Sequence, residues 1–231
     1  MSLTPILTYH KIAERPQATI YPGTYVHPDT FRRHVAYLAR HFALTSVASY
    51  LDDRPTSDRA VLTFDDGTAD FAENALPILQ THGATGTVYL VTGETTNAWD
   101  VRLGDAEVPL MSPEQISTLV DHMEFGGHTR RHVDLATLAP NEYQDEIDRN
   151  RAEVEALTGR PCRTFCYPYG RTRESSEEAV RRAGYVGAVT TEKGANDPFV
   201  DPFRLRRIAV RHDTSLPILV YKLWRARHLG R

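Results

Sequence analysis

Short apolar segments of strand length alternate with segments of helical period along most of the chain, and this alternation constrains the fold more than any other feature. The segments predicted as strands are 5–10, 44–47, 60–64, 85–91, 124–127, 164–167, 185–190 and 205–210. The helices predicted between and after them cover residues 29–42, 70–82, 112–123, 140–157, 176–183 and 216–224. Because strands that alternate with helices form parallel sheets, we expect an α/β fold with a parallel sheet or barrel.

Two segments between these elements are predicted to be irregular. Residues 50–58 are polar and turn-like, and residues 93–111 form a long loop of a kind that is often functional in compact domains. The chain has 231 residues, of which 41% are hydrophobic and 25% are charged. These values are typical of a soluble globular protein, so we expect residues 1–231 to form a single domain.

Charge, cysteine content and the terminal sequences argue against several classes of protein. The net charge of −3 gives no basic surface for nucleic acid, and two cysteines do not make a disulfide framework. No signal peptide and no apolar run of ~20 residues is visible, so we expect a cytoplasmic protein. The last predicted helix has a basic end beside an apolar face. Contact with an anionic membrane is one interpretation of it, and packing on the core is the favoured one.

The stretch Leu62-Thr63-Phe64-Asp65-Asp66-Gly67 places two adjacent carboxylates at the end of a buried strand. Neighbouring strand residues face opposite ways, so one carboxylate can turn toward a metal ion and the other toward water. Like charges this close raise one pKa unless a cation lies between them, so the pair requires a positive partner. Taken by itself, an Asp-Asp-Gly sequence is more often a simple turn.

A candidate for the rest of a metal site follows the predicted strand at 124–127. Here the sequence Gly126-Gly127-His128-Thr129-Arg130-Arg131-His132 contains two histidines separated by three residues. One aspartate and two histidines leave a coordination position open, which is the pattern of a catalytic zinc site. Active sites of α/β barrels lie at the carboxyl ends of the strands, where these motifs occur. The combination favours a metal centre over a turn.

Three segments together resemble the leading motifs of the polysaccharide deacetylases, which are the chitin-, peptidoglycan- and poly-N-acetylglucosamine-type enzymes of carbohydrate esterase family 4. They are 63–67 (Thr-Phe-Asp-Asp-Gly), 128–132 (His-Thr-Arg-Arg-His) and 165–170 (Phe-Cys-Tyr-Pro-Tyr-Gly). The resemblance extends over about residues 5–210 and implies a distorted, incomplete (β/α)7-8 barrel. The opening Leu7-Thr8-Tyr9-His10-Lys11-Ile12 also resembles the circularly permuted, poly-N-acetylglucosamine deacetylase-like branch.

The resemblance implies roles for individual residues. Asp66, His128 and His132 match the metal ligands of the family, and the expected cofactor is a divalent metal, most readily Zn²⁺. Asp65 matches the general base, close to the water that the metal activates. The backbone N–H of Tyr169 matches a donor that stabilises the oxyanion.

The general acid has two candidates. His10 matches the acid of the permuted branch, where this histidine lies near the N-terminus. His212 is its competitor, because the family members that are not permuted keep the acid near the C-terminus. A buried structural histidine is the alternative interpretation of His10.

The third motif departs from the family pattern. Many members carry an arginine before its proline, and that arginine pairs with the base aspartate. This chain has Cys166 and Tyr167 there, so Arg171 or an arginine within 204–207 is expected to substitute. The two cysteines, Cys162 and Cys166, are expected to pack as small apolar residues.

The function that the resemblance implies is metal-dependent removal of an N-acetyl group from an N-acetylhexosamine in a glycan or glycoconjugate precursor. The partner is then a carbohydrate substrate, and stacking on sugars or core packing is equally favoured for Trp99, Tyr167 and Tyr169. The expected cytoplasmic location favours a lipid-linked or nucleotide-linked precursor over a mature wall polymer. Two alternatives stay open: the same fold acting on a small amide or cyclic imide, and a sugar-binding module without catalysis.

Overall fold

The computed structural model describes residues 3–53 and 58–229, and its centre is a closed barrel of seven parallel strands. In barrel order they are β1 (Thr4–Tyr9), β3 (Arg59–Phe64), β4 (Thr87–Leu90), β5 (Glu124–Gly127), β6 (Thr164–Cys166), β7 (Gly187–Lys193) and β9 (Leu205–Ala209). β1 pairs with both β9 and β3, which closes the ring. The expected α/β barrel is confirmed, and its strand number is seven.

Two short strands and eight α-helices surround the barrel in the described residues. β2 (Ala43–Thr45) adds in parallel to β3, and β8 (Ala195–Asn196) pairs antiparallel with β1. The helices are α1 (Pro28–His41), α2 (Val47–Asp53), α3 (Leu76–Thr81), α4 (Ala98–Val101), α5 (Pro113–Ser117), α6 (Pro140–Thr158), α7 (Glu174–Arg182) and α8 (Leu216–Leu229). Within the described part of the chain, no helix has the length and apolarity needed to cross a membrane.

The side chains of the strands divide between an inner and an outer core because successive strand residues point to opposite faces. One buried cluster, which we assign to the barrel interior, contains Ile6, Val61, Tyr89, Cys166, Val189 and Leu205. The residues next to them in sequence pack instead with the helices, in the larger cluster that includes Leu7, Leu62, Val88, Phe165 and Ala188. Every second residue after Val61 and Leu205 points the same way, so Thr63, Asp65 and Arg207 also face the interior.

The helical segments follow the predicted periodicity with some corrections. Residues 50–53, predicted as turn-like, belong to α2, while 54–57 lie outside the described residues. The first amides of α2 donate to side chains distant in sequence, Val47 N to Thr87 Oγ1 and Ala48 N to Glu124 Oε2. Ser46 also caps this helix end locally, because its Oγ accepts from Ser49 N at 3.3 Å, so the tertiary bonds add to a cap that the sequence itself contains.

Two further helix predictions need correction. The helix predicted over 112–123 ends at Ser117, and the rest of that segment is formed of turns. On α8, Leu219 and Leu223 are buried as predicted, whereas Trp224 is 51% exposed. The face of α8 that packs against the barrel therefore includes Leu219 and Leu223 but not the apolar side chain of Trp224.

Candidate active site

The functional candidates gather at one mouth of the barrel because parallel strands present their carboxyl ends together. His10 follows β1, Asp65 and Asp66 follow β3, and His128 follows β5. With His132 and Tyr169 they line a single cavity of about 150 Å³. His10, to which the resemblance gives the role of acid, is therefore together in space with the other five residues that it gives roles.

Asp66, His128 and His132 form a buried group of potential metal ligands. Asp66 Oδ1 lies 3.5 Å from Nε2 of both histidines, and one donor atom from each of the three lies within 4.8 Å of the others. Asp66 Oδ1 is buried and has no hydrogen-bond donor in the described structure. An orphaned carboxylate oxygen facing two imidazole nitrogens fits a cation, so this group can hold a metal ion.

His128 is fixed by a backbone acceptor. Its Nδ1 lies 2.7 Å from the carbonyl oxygen of Cys166. A carbonyl can only accept, so Nδ1 carries a proton, and Nε2 is the ring nitrogen that faces Asp66. The main-chain N–H of His128 donates to Asn150 Oδ1 at 2.9 Å. Asn150 lies inside α6, and no local pattern in the sequence marks it as a support for the site.

His132 is held between two aromatic rings. Its imidazole stacks on Trp99 at 4.5 Å and meets the edge of Tyr169 at 4.7 Å. Burial, followed by the charge of His128, lowers the pKa of His132 to about 3. The ring is therefore neutral at ordinary pH and has a lone pair available for a cation.

Asp65 is buried and paired with Arg207. Nη1 and Nη2 of Arg207 donate to Oδ1 and Oδ2 of Asp65 at 2.7 and 2.8 Å. Burial by itself raises the pKa of Asp65, but the guanidinium and then His10 outweigh it, and the pKa is lowered. Asp65 is thus a carboxylate at neutral pH, as a proton acceptor must be.

The other donors of Arg207 are also satisfied. Nε donates to Thr190 O at 2.7 Å, Nη1 to Thr63 Oγ1 at 3.1 Å, and Nη2 to Cys166 Sγ at 3.3 Å. With the two bonds to Asp65, each of the five N–H groups of a guanidinium has an acceptor. Arg207 is therefore held rigidly, in an orientation that presents the Asp65 carboxylate to the cavity.

The other arginines considered for this pairing lie elsewhere. Arg171 pairs with Asp134, Arg204 with Glu177, and Arg206 approaches Glu192. The cysteines are free and buried, as expected. Cys166 has in addition a polar part in the site, through its carbonyl to His128 and its sulfur to Arg207.

His10 and His212 occupy different environments. His10 Nε2 lies 3.9 Å from Asp65 Oδ2, and its side chain is 31% exposed to the cavity mouth. His212 is exposed in the segment after β9 and does not line this cavity. Only His10 of the two is adjacent to the carboxylate pair.

The aromatic candidates separate in the same way. Tyr167 is fully buried and packs its ring against Phe165 at 5.4 Å, in the core. Tyr169 is 46% exposed, and Trp99 covers His132 beside it. Tyr169 and Trp99 are therefore placed to contact a ligand, and the Tyr167 side chain is not.

Three non-glycine residues of the site have left-handed backbone. Asp66 has φ 75°, His132 has φ 56° and Tyr169 has φ 59°. Such conformations cost of order 1–3 kcal/mol each and persist where the surrounding structure imposes them, often at active sites. At Asp66 the turn allows two consecutive carboxylates, Asp65 and Asp66, to reach one cavity despite the alternation of a strand.

The fold and motifs match a known family. The family model for polysaccharide deacetylases matches residues 52–188. The YxkH protein of Bacillus subtilis is 25% identical over 89% of this chain and 71% of its own length. The poly-beta-1,6-N-acetyl-D-glucosamine N-deacetylase of Staphylococcus epidermidis is 22% identical over 79% of this chain and 67% of its own.

Solved structures agree with this match. The Streptococcus pyogenes deacetylase PplD, in complex with acetate, has a TM-score of 0.82 and 25% identity, over 95% of this chain and 97% of PplD. IcaB from Ammonifex degensii has a TM-score of 0.81 and 20% identity, over 96% of this chain and 97% of IcaB, and supports the fold. Since the family model covers more than half of the chain and its motifs converge on one cavity, this chain belongs to the polysaccharide deacetylase family and is a deacetylase hydrolase.

Proposed function

We propose that this chain is a metal-dependent N-deacetylase that removes the acetyl group from an N-acetylhexosamine in a glycan or glycoconjugate precursor. The observation that carries the proposal is the convergence of Asp66, His128 and His132 on one point, beside the buried carboxylate of Asp65. The relative from S. epidermidis acts on a poly-N-acetylglucosamine by its name, which favours a sugar over a small amide. We also propose that residues 1–231 act as one catalytic domain.

The metal is held by Asp66, His128 and His132 in this proposal, and Zn²⁺ suits a set of one carboxylate and two imidazoles. A divalent ion bound there supplies Lewis acidity, which lowers the pKa of water and polarises an amide carbonyl. The three side chains keep the ion in the cavity because the Cys166 carbonyl fixes the His128 tautomer and aromatic rings hold His132.

Asp65 accepts the proton from the attacking water in this proposal. Its two oxygens are held by Arg207, so the carboxylate stays ionised and does not rotate away between turnovers. His10 then gives a proton to the leaving amine, for which its place 3.9 Å from Asp65 is suitable. The proton that Asp65 receives has a short route to His10 for the next cycle.

Tyr169 contributes through its backbone. It is the middle residue of the short turn Pro168–Gly170, in which Gly170 N donates to Tyr167 O and Arg171 N to Pro168 O, so neither turn bond uses the Tyr169 N–H. A free N–H at this rim of the cavity can donate to the negative oxygen that develops on the amide carbon. The left-handed φ of 59° at Tyr169 turns the local backbone sharply just after β6.

The proposal is tested by acetate release. Purified protein loaded with Zn²⁺ is incubated with chitooligosaccharides, with N-acetylated peptidoglycan fragments and with a cyclic imide, and acetate and ammonia are quantified. We expect acetate from an N-acetylated sugar, its loss after chelation and its return when metal is restored. Turnover that is confined to the imide, or that is unaffected by chelation of a verified metal-free protein, would overturn the proposal.

A further inference from the structure

A second cavity, outside the candidate active site, lies beside the carboxyl end of β9 and against α8. It has a volume of about 480 Å³ and is lined by five basic residues: Arg207, which is paired with Asp65, and four others, Lys193, Arg211, Lys222 and Arg225. Within residues 3–53 and 58–229, none of the four lies within ion-pair distance of a carboxylate, whereas Arg227 on the same helix pairs with Asp58. We name this space the basic cavity.

Lys222 is the most enclosed of the four cations and is fixed in place. Its Nζ donates to Ala209 O at 2.8 Å and to Thr214 Oγ1 at 3.2 Å, which leaves one of its three donors free. Burial lowers the pKa of Lys222, Asp213 opposes this, and the positive charges of Arg211 and Lys193 add to the lowering. Arg211 and Lys193 are therefore close enough to Lys222 for their charges to repel it, and an anion among them would relieve that repulsion.

The basic cavity is connected to the candidate active site by shared walls. A third cavity of about 270 Å³ shares Ala209 and Arg211 with the basic cavity, and His10 and Tyr21 with the active site. Arg211 bridges them, because its guanidinium lies against Gly23, where an added Cβ would be 2.7 Å from Nη2. The three spaces are neighbours along one rim of the barrel.

We propose that the basic cavity binds a phosphoryl group of the substrate, so that the preferred substrate is an N-acetylated sugar carrying a phosphate or diphosphate. Lysine and arginine clusters recognise phosphate through charge-assisted hydrogen bonds. A carboxylate has one charge and would leave most of the four cations unmatched, whereas a diphosphate carries several. This inference rests on the proposed deacetylation for its reaction, but the binding of the phosphoryl group can be measured without turnover.

The binding test uses glucose 1-phosphate, which has no acetamido group, with glucose as the neutral reference. Titration calorimetry on the metal-loaded protein is expected to show binding of the phosphate and none of glucose. Arg211→Gln and Arg225→Gln should each weaken binding about tenfold or more, as expected for one charge-assisted hydrogen bond. Arg182→Gln removes the same charge from an exposed site on α7 and should leave binding unchanged. Equal binding by the Arg211 and Arg182 variants overturns the assignment.

The kinetic test compares N-acetylglucosamine 1-phosphate with the neutral disaccharide N,N′-diacetylchitobiose. We expect Arg211→Gln to raise KM for the phosphorylated sugar about tenfold or more and to leave neutral turnover within about twofold. If the wild type has the same kcat/KM for N,N′-diacetylchitobiose as for the phosphorylated sugar, the phosphoryl assignment fails and the deacetylase stands. If glucose 1-phosphate binding requires Arg211 but no substrate is deacetylated, the proposed function fails and the cavity assignment stands.

The same variants distinguish the source of the phosphoryl group. Uridine diphosphate N-acetylglucosamine and a short-chain polyprenyl diphosphate N-acetylglucosamine present one diphosphate on different carriers. The carrier with the higher kcat/KM identifies the source, and its advantage over N,N′-diacetylchitobiose should disappear in the Arg211→Gln, Arg225→Gln double variant. Melting temperatures of the variants within a few degrees of wild type establish that the effects are local. An advantage that persists in the double variant counts against the basic cavity.

Discussion

Arg207 donates to both oxygens of Asp65, at 2.7 and 2.8 Å, although 142 residues separate the two in sequence. Both residues face the barrel interior and both are buried. The pair occupies the place that the family usually fills from the third motif, where this chain has Cys166 and Tyr167. The carboxylate of Asp65 thus keeps a bidentate cation, supplied by the last barrel strand instead of β6.

Removing Arg207 should cost both stability and activity. Arg207→Met leaves Asp65 buried without its cation, and breaking such a pair typically destabilises by about 3–5 kcal/mol. Arg149→Met removes an exposed arginine paired with the exposed Asp145 and should cost less than about 1 kcal/mol. Urea unfolding measures both. If the double variant Asp65→Asn, Arg207→Met is no more stable than Arg207→Met, the two residues are not coupled as the structure indicates.

Metal content should depend on His128. The wild type is expected to bind about one ion per chain. His128→Ala removes one of three proposed ligands, so its metal content should be well below that level. Elemental analysis after dialysis checks this, with His212→Ala as the matched control outside the cavity. The proposed ligand set is wrong if the metal content of His128→Ala equals that of the control.

Asp65→Asn should lower turnover while leaving metal binding intact. The amide keeps the shape of the side chain but cannot take a proton, so kcat should fall by about 10²–10⁴-fold while the metal is retained. Measurements are kcat on the substrate identified by acetate release, metal content, and the circular dichroism spectrum to establish folding. A variant that retains more than about a tenth of wild-type kcat would show that another group is the base.

The two histidine candidates for the acid give opposite expectations. His10 lies beside Asp65 in the cavity and His212 is exposed outside it, so His10→Ala should lower kcat without releasing metal. If protonated His10 supplies the proton to the leaving amine, its removal should also abolish the alkaline limb of the pH–rate profile. A profile that changes in His212→Ala and not in His10→Ala would assign the acid to the other end of the chain.

Buried His34 should make the fold sensitive to acid. Burial, the largest influence, lowers the pKa of His34 to about 4, and its Nδ1 lies 3.3 Å from the Tyr9 hydroxyl. The unfolded chain, with a histidine pKa near 6.5, binds the proton first as pH falls. The neutral ring is therefore compatible with full stability above about pH 6.5, and stability declines as pH falls from there toward 4.

Replacement of His34 should remove that part of the pH dependence. Urea unfolding is measured at pH 7 and at pH 5. The free energy of unfolding should fall less between these two pH values in His34→Gln than in the wild type, even if the two proteins differ in stability at pH 7. His41→Gln, an exposed histidine of the same helix, should keep the wild-type difference. The same pH dependence in all three proteins would rule out His34 as its source.

Local sequence patterns predicted the strands, the helices and four residues of the candidate site, because each of these features depends on residues that are close in sequence. Strands and helices repeat with periods of two and 3.6 residues, and an Asp-Asp-Gly or His-x-x-x-His motif places its side chains within one turn or strand end. Asp65, Asp66, His128 and His132 were predicted on that basis, and the structure brings them together in one cavity. The departure at Cys166 was also visible, and the run 204–207 was one of the two places proposed for its substitute.

Tertiary contacts decided which arginine pairs with Asp65 and which histidine lies near Asp65, and they contribute to the cap of α2. Such contacts join residues far apart in the chain, and no fixed sequence spacing predicts them. Arg207, and not Arg171, reaches Asp65 because β9 faces the interior at that register. The first two amides of α2 are capped by Thr87 and Glu124 from other strands, in addition to the local cap by Ser46. Closure of β1 against β3 and β9 brings His10 to Asp65 and leaves His212 outside, since the two histidines differ in where the barrel places them and not in their local chemistry.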